Sequence, residues 1–352
     1  MMVRLKDIAQ RANVSVMTVS KALRDAADVS EATKLRIRKL AQEMGYVPDS
    51  AAQGLRTRTT RSFGIIISTT TNPIFARVLM AIEQRAYEMG YDMVLTHSHD
   101  LPEREERCIY RLLSRRVDGI FISPVYRLSN EAQAYQELEN RETPVIILGH
   151  TAGFCSNFLN IETDDVQGSY DVTQHLLAEG HRRIAFLSGP LAAPWTQERL
   201  EGYRRALREH GIDPDDKLVF QAGRTVEDGI TATMQMISEK SDATAVQAVN
   251  DLVAVGCMRV LINQGLKIPE DMAVAGFGNL LISENAPMAL TTTRQPKFTL
   301  GTAAMEAMLA LLNNERPSSR RLPAPLLVRK STGTAPARSA LSELTPSSQK
   351  TI

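Results

Sequence analysis

The chain has 352 residues, 43% apolar and 23% charged, with a net charge of +1. That length exceeds one ordinary domain and the composition is globular, so two or three packed domains are expected rather than a fibrous or disordered chain. No apolar run approaches the ~18 residues of a membrane span. Arg4, Lys6, Asp7 and Gln10 interrupt the apolar stretch a secretory signal would need, so no membrane partner and a cytoplasmic location are expected. Cys108, Cys155 and Cys257 are odd in number and far apart, which fits neither a disulfide framework nor zinc spacing. They read as buried thiols.

The small net charge conceals an asymmetry. Residues 1–61 hold twelve Lys and Arg against six Asp and Glu, a net of +6; the remainder carries −5. A basic head on a mildly acidic body suits a phosphate backbone on one side only. Leu5, Ile8, Ala9 and Ala12 recur at i, i+3, i+4, i+7 and predict a first helix. Asn13-Val14 makes a turn, and Ser15 is a good N-cap for a second helix with Val19, Ala22 and Leu23 inside. Ser15, Val16, Met17, Thr18 and Lys21 are left near its exposed N-terminal end. Ser30 caps a third helix whose Ile37, Leu40, Ala41 and Met44 close a small core, and Gly45 ends it. Helix, tight turn and helix is the arrangement that lays a helix in a DNA major groove.

Leu5-x-Asp7-Ile8-Ala9, then Val14-Ser15-x-x-Thr18-Val19-Ser20-Lys21-x-Leu23, then Gly45-Tyr46-Val47-Pro48 and Ala52-x-Gly54-Leu55 closely resemble the head of the lactose-repressor (LacI/GalR) family of bacterial transcription regulators. The resemblance runs from about residue 3 to about 333. It implies that Val16, Met17 and Lys21 face base edges. Val and Met offer only apolar contact, which suits a thymine methyl, and Lys21 could donate to guanine. Ordinary packing is the competing reading for Val16 and Met17. Ser15, Thr18 and Ser20 would hold phosphates, which position without specifying. The resemblance adds Leu5, Ser30, Tyr46, Ala52, Gln53 and Leu55 to the DNA-contacting set.

Pro48 disfavours helix just before it, and Asp49 or Ser50 can cap a short helix from about Ala51 to Arg58. Such a helix is too short to persist alone in water, and Gly54 inside it costs about 1 kcal/mol relative to Ala. The resemblance implies that two such segments pair in a homodimer and drive Leu55 into the minor groove as an apolar wedge. A plain linker with Leu55 exposed is the alternative.

Beyond residue 61 the pattern changes. Phe63–Ile67, Met93–Leu95, Gly119–Ile122 and Val145–Leu148 are apolar runs of strand length separated by helical stretches such as Phe75 to Met89. A second series starts at Ile184–Leu187 and continues with Lys217–Phe220, Ala245–Val249 and Met272–Ala275. Buried runs alternating with helices predict parallel sheets covered on both faces, in two similar halves. The expected fold is therefore an all-α helix-turn-helix head plus an α/β body of two doubly wound parallel-sheet subdomains. The resemblance makes that body periplasmic-binding-protein-like, with chain crossings near 162, 292 and 323. The expected division is a head over 1–46, a hinge over 47–61, and a body over 62–333. The body splits into an N-subdomain (about 62–161 and 293–322) and a C-subdomain (about 162–291 and 323–333). Residues 334–352, rich in Ser, Thr, Pro and Ala, read as a disordered tail. They lack the leucine heptads of a tetramerising segment, so a dimer is expected.

In such sheets ligands bind beyond the carboxyl ends of the strands. The candidate effector contacts are Asn72, Phe75, Trp195, Arg199, Asn250, Asp251 and Asn279. Arg199, in R-L-x-G-Y, matches the family's ligand-binding arginine; its planar fork can serve vicinal hydroxyls or a carboxylate. Asp251 reads more readily as a helix N-cap than as a ligand group, and Phe75 is balanced between ligand stacking and core. The family commonly has Asp after G-[FY], where this chain has Gly278, and some members have an acid where this chain has His150. Losing acceptors while keeping Arg199 points to an acidic or phosphorylated sugar-type effector.

Other signals are weak. Gly276-x-Gly278 lacks the rest of a dinucleotide fingerprint. His97-x-His99-Asp100 follows a strand in a polar loop, and Gly180-His181-Arg182 reads as turn and surface. Nothing requires a cofactor or metal, and no Ser/His/Asp grouping has supporting context. The leading reading is a sequence-specific repressor of operator DNA controlled by a sugar, sugar-acid or sugar-phosphate effector. The alternatives are an activator or global carbon regulator with a protein co-regulator, and a sugar-processing enzyme with a DNA-binding head.

Overall fold

The computed structural model describes residues 3–47, 59–285 and 288–343. Residues 1–60 and 61–352 form two separate compact units. In the first, α1 (Leu5–Ala12), α2 (Val16–Leu23) and α3 (Glu31–Glu43) enclose Ile8, Ala9, Ala12, Val19, Ala22, Ile37 and Ala41. Asn13, at φ 50, makes the tight turn between the first two helices. Ser15 Oγ accepts from Thr18 N at 3.0 Å and Ser30 Oγ from Thr33 N at 3.4 Å, so each serine satisfies an amide with no intrahelical partner. Lys34 is drawn in as well: its stem is buried, and Nζ reaches Glu31 at 2.7 Å and Asp25 at 3.0 Å.

The second unit holds two parallel sheets. The first has the order β11-β5-β4-β3-β1-β2, built from β1 (Ser62–Ile67), β2 (Asp92–His97), β3 (Gly119–Ile122), β4 (Val145–Leu148), β5 (Leu159–Thr163) and β11 (Arg320–Leu322). Phe63, Ile65 and Ile67 pack on α4 (Ile74–Glu88) and α12 (Lys297–Leu312). Ile66 turns to the opposite face, where α5 (Pro102–Ser114) and α6 (Gln133–Asn140) lie. That alternation is the pleat's period of two with both faces covered, and it explains the unbroken apolar runs. The four side chains are fully buried, each stabilising by about 1.5–3 kcal/mol.

The second sheet has the order β7-β6-β8-β9, from β6 (Ile184–Ser188), β7 (Val219–Gln221), β8 (Ala245–Ala248) and β9 (Ala273–Ala275). It is covered by α7 (Asp165–Ala178), α8 (Pro194–Glu209), α9 (Val226–Ser238) and α10 (Asp251–Asn263). At Gly202 a Cβ would sit 2.2 Å from the Val166 carbonyl, so only glycine lets α7 and α8 approach this closely. The chain leaves the first sheet at Thr163 and enters α7 at Asp165. It returns through β10 (Thr292–Thr293) to α12, and leaves again after β11 through β12 (Leu326–Leu327). β10 and β12 pair antiparallel, so two of the three crossings lie side by side.

Two expectations are corrected here. The segment after Gly333 is ordered as far as Glu343: Ala335 N donates to the Glu179 carbonyl, Ser339 Oγ donates to the Ala243 carbonyl at 2.7 Å, and Leu341 is fully buried in the second lobe's core. Its polar composition hid the one apolar anchor; residues 344–352 lie outside the described residues. His181 is not at the surface either. It is fully buried, its ring nitrogens bonded to Thr244 Oγ1 at 2.9 Å and the Gly333 carbonyl at 3.0 Å, and so holds that segment in place. Cys108, Cys155 and Cys257 are free and buried.

Candidate functional site

The head leaves the N-terminal end of its second helix exposed. Val16 and Met17 are 46% and 65% exposed and take no part in the core that Val19 and Ala22 join. Packing therefore does not account for them. Thr18 shares a hydrogen bond with Ser15, Ser20 is half-buried, and Lys21 Nζ is held by Asp28. Leu5 and Tyr46 pack against the core, and Ser30 is the exposed N-cap of α3. Ala52, Gln53 and Leu55 lie outside the described residues.

In the body the two lobes enclose a cavity of about 170 Å³ beyond the carboxyl ends of the strands. Asn72, Phe75, Trp195, Arg199 and Asn250 all line it. Arg199 is its centre. Nε and one terminal nitrogen donate to Asp165 Oδ1 at 3.2 and 3.0 Å, and the other donates to the Val249 carbonyl at 2.6 Å. The Phe277 ring lies 3.7 Å and the Trp195 ring 4.9 Å from the guanidinium carbon. A guanidinium has five N–H donors, so this arginine is fixed in place with two still free. Phe75 serves both readings, since it lines the cavity and joins the first lobe's core. Asn72 Oδ1 accepts from Ile74 N at 3.3 Å, an Asx turn that opens α4.

Asp251 and Asn279 do not line the cavity. Asn250, not Asp251, is the cap of α10, accepting from Val253 N at 2.9 Å. Asp251 is fully buried one residue on, where it accepts from Leu280 N, Ser283 Oγ and Thr292 Oγ1. Burial raises its pKa against those bonds, and it ties the second lobe to the returning strand. Asn279, at φ 51, turns its Oδ1 to Arg329 at 2.7 Å. Both residues follow strand ends, but Asp251 is engaged by Leu280, Ser283 and Thr292 and Asn279 by Arg329.

The premise of lost acceptors is corrected too. Asp165 and Asp100 line the cavity, and they pair with the cavity's two arginines: Asp165 with Arg199, and Asp100 with Arg224 at 3.0 Å. Asp165 escaped the sequence reading because β5 is a weak run, Leu-Asn-Ile-Glu-Thr, and its end was not recognised as a strand end. Asp100 is thereby committed to an ion pair, and the rings of His97 and His99 meet edge to face at 5.8 Å.

His150 completes the site. Its Nε2 lies 3.1 Å from Glu198 Oε2, 3.5 Å from Asp165 Oδ2 and 3.8 Å from Glu162 Oε2. Burial lowers its pKa, but the hydrogen bond to Glu198 and the three negative charges outweigh it, and the net shift is upward. Arg321 holds both Glu162 and Glu198 at 2.7 Å. His150, Asp165 and Glu198 bring ligand-type atoms within 4.8 Å of one another. Their carboxylates are already engaged by Arg199 and Arg321, which makes the group an ion-pair network.

A helix-turn-helix head and a separate two-lobed body with a polar cleft define a ligand-responsive DNA-binding protein. Residues 4–49 match the family described as bacterial regulatory proteins, lacI family, and residues 173–332 match the periplasmic binding protein-like domain. The chain is 31% identical over 318 residues to the HTH-type transcriptional repressor PurR of Vibrio atlanticus (strain LGP32), covering 89% of this chain and 93% of that one. It is 29% identical over 334 residues to the repressor CytR of Escherichia coli (strain K12), covering 94% and 97%. Its fold matches the lac repressor dimer bound to operator and the anti-inducer ONPF with a TM-score of 0.84 at 28% identity, covering 95% and 100%. It matches a CelR–cellobiose complex with a TM-score of 0.70 at 27% identity, covering 94% and 99%. The chain belongs to the lacI family and is a DNA-binding transcriptional regulator rather than an enzyme. No helix among the described residues is long and apolar enough to cross a membrane.

Proposed function

We propose that the chain is a dimeric repressor whose grip on a near-palindromic operator is set by a small, neutral, polyhydroxylated effector of sugar type held between the two lobes. The observation that carries this reading is Arg199: immobilised between two aromatic rings, neutralised by Asp165, and left with two donors at the cavity. Vicinal hydroxyls use such a fork, and a sugar's apolar face suits Trp195. With Arg224 paired as well, an anionic ligand would have to displace a carboxylate. The CelR–cellobiose complex and the operator-bound lac repressor dimer support the same assignment. Val16, Met17 and Lys21 read bases, and Ser15, Thr18 and Ser20 hold phosphates. The effector acts by favouring one relation between the lobes.

The test is calorimetry with neutral sugars against sugar acids and sugar phosphates. Gel shifts on the DNA upstream of the chain's own and neighbouring genes accompany it. A neutral sugar should bind more tightly than its acid and change operator retention. Tighter binding of the acid or phosphate overturns the neutral assignment.

A further inference from the structure

Two sets of charges join the lobes across the cleft. Arg224 of the second lobe meets Asp100 of the first at 3.0 Å in a half-exposed pair. The other set contains a histidine. His150 follows β4 in the first lobe, while Asp165 opens α7 and Glu198 lies on α8, both in the second.

The charges around His150 can be counted element by element. Glu162 on β5, Asp165 on α7 and Glu198 on α8 place carboxylate oxygens within 3.8 Å of Nε2. Arg199 on α8 and Arg321 on β11 hold oxygens of the same three carboxylates. Tyr126, after β3, donates to the His150 carbonyl at 2.8 Å. Asp164, beside α7, shares Arg321 at 3.9 Å, so when the ring is neutral the carboxylates outnumber the two guanidiniums in a site where His150 is 6% and Asp165 2% exposed. One proton on the imidazole offsets part of that excess.

We propose that His150 is a proton-operated latch between the lobes: the imidazolium draws Glu198 and Asp165 of the second lobe onto the first and closes the cavity, and the neutral ring leaves Glu198 to Arg321 alone and weakens that hold. The proposal concerns the ligand-free protein and does not depend on what the effector is. The sign follows from linkage. Opening exposes His150 to water and returns it toward the ordinary histidine value of about 6.5. Closure raises that value, so the closed form binds the proton more tightly. Closure is therefore fully favoured below the ordinary value and weakens as pH rises through the raised one. Each unit between the two values changes the closed-to-open ratio about tenfold.

The test is a pair of spin labels, one per lobe, at Tyr110→Cys on α5 and Met234→Cys on α9. Both sites are exposed, at 42% and 45%. Labelled full-length chain is diluted with excess unlabelled chain, and interlobe distances are recorded by pulsed electron resonance at about pH 6 and about pH 9, with a metal chelator present. The expected distribution is narrow at the lower pH and broader at the higher. His150→Gln and Glu198→Gln should each remove most of that difference. Glu198→Gln keeps His150 and so carries the test even where His150→Gln fails to fold. The proposal is overturned by a distribution that ignores pH, by a full pH response persisting in Glu198→Gln, or by a response that appears only when the chelator is omitted and zinc is added.

Discussion

Arg199 shows how much one side chain can be asked to do. Stacked between Phe277 and Trp195 and bonded to Asp165 and the Val249 carbonyl, it links α8, α7 and the end of β8 before any ligand arrives. A lysine there would keep the charge and lose both the stacking plane and the two-pronged bond. Met17 is the opposite case, a large apolar side chain at 65% exposure that the core does not use. Such exposure is consistent with a partner that buries it, and a thymine methyl is one. Met17→Ala should cost about 1–3 kcal/mol at one operator position and little at the others, measured by binding to a panel of base-substituted operators. A uniform loss, or no loss at any position, would remove Met17 from the readers.

At the scale of elements, the sequence signals were strongest where the local cause was strongest. Ser15 and Ser30 cap the helices they precede because a hydroxyl at that position satisfies a free amide whatever the tertiary context. The runs at Phe63–Ile67 and Ile184–Leu187 are strands because a chain buried on both faces must be apolar throughout. β5, β10, β11 and β12 escaped because they are short or mixed, and partners far along the chain make them strands. The segment after Gly333 escaped because one leucine among small and polar residues has no period. Its anchor can be tested: Leu341 is fully buried in the second lobe's core, and Leu341→Ala should destabilise the body by about 2–3 kcal/mol in chemical denaturation. An unchanged midpoint would mean that the segment does not hold in solution.

At the scale of the whole molecule, charge is divided by task, with the head positive and the rest negative. Operator affinity should therefore fall steeply with salt, by at least about tenfold between about 50 and about 200 mM, because even two phosphate contacts release that many counterions. A flat response in filter binding would contradict the division. The cleft follows a different logic. Its charges are nearly all paired across or within the lobes, so its recognition rests on free donors, aromatic faces and the proton on His150 rather than on net charge.

The sequence by itself determined the head, its caps and the two series of buried strands, and five of its seven candidate effector contacts line the cavity, since each depends on local chemistry or on a short motif. Only the tertiary structure decided the sign of the cleft. Whether Arg199 is available to an anion depends on Asp165, on another helix after a chain crossing. Whether Asp251 and Asn279 reach the ligand depends on the turn between β9 and α11 (Leu281–Asn285). Strand and helix follow from the pattern of neighbours along the chain, but charge balance in a buried site is set by residues that meet only after the chain has crossed between lobes.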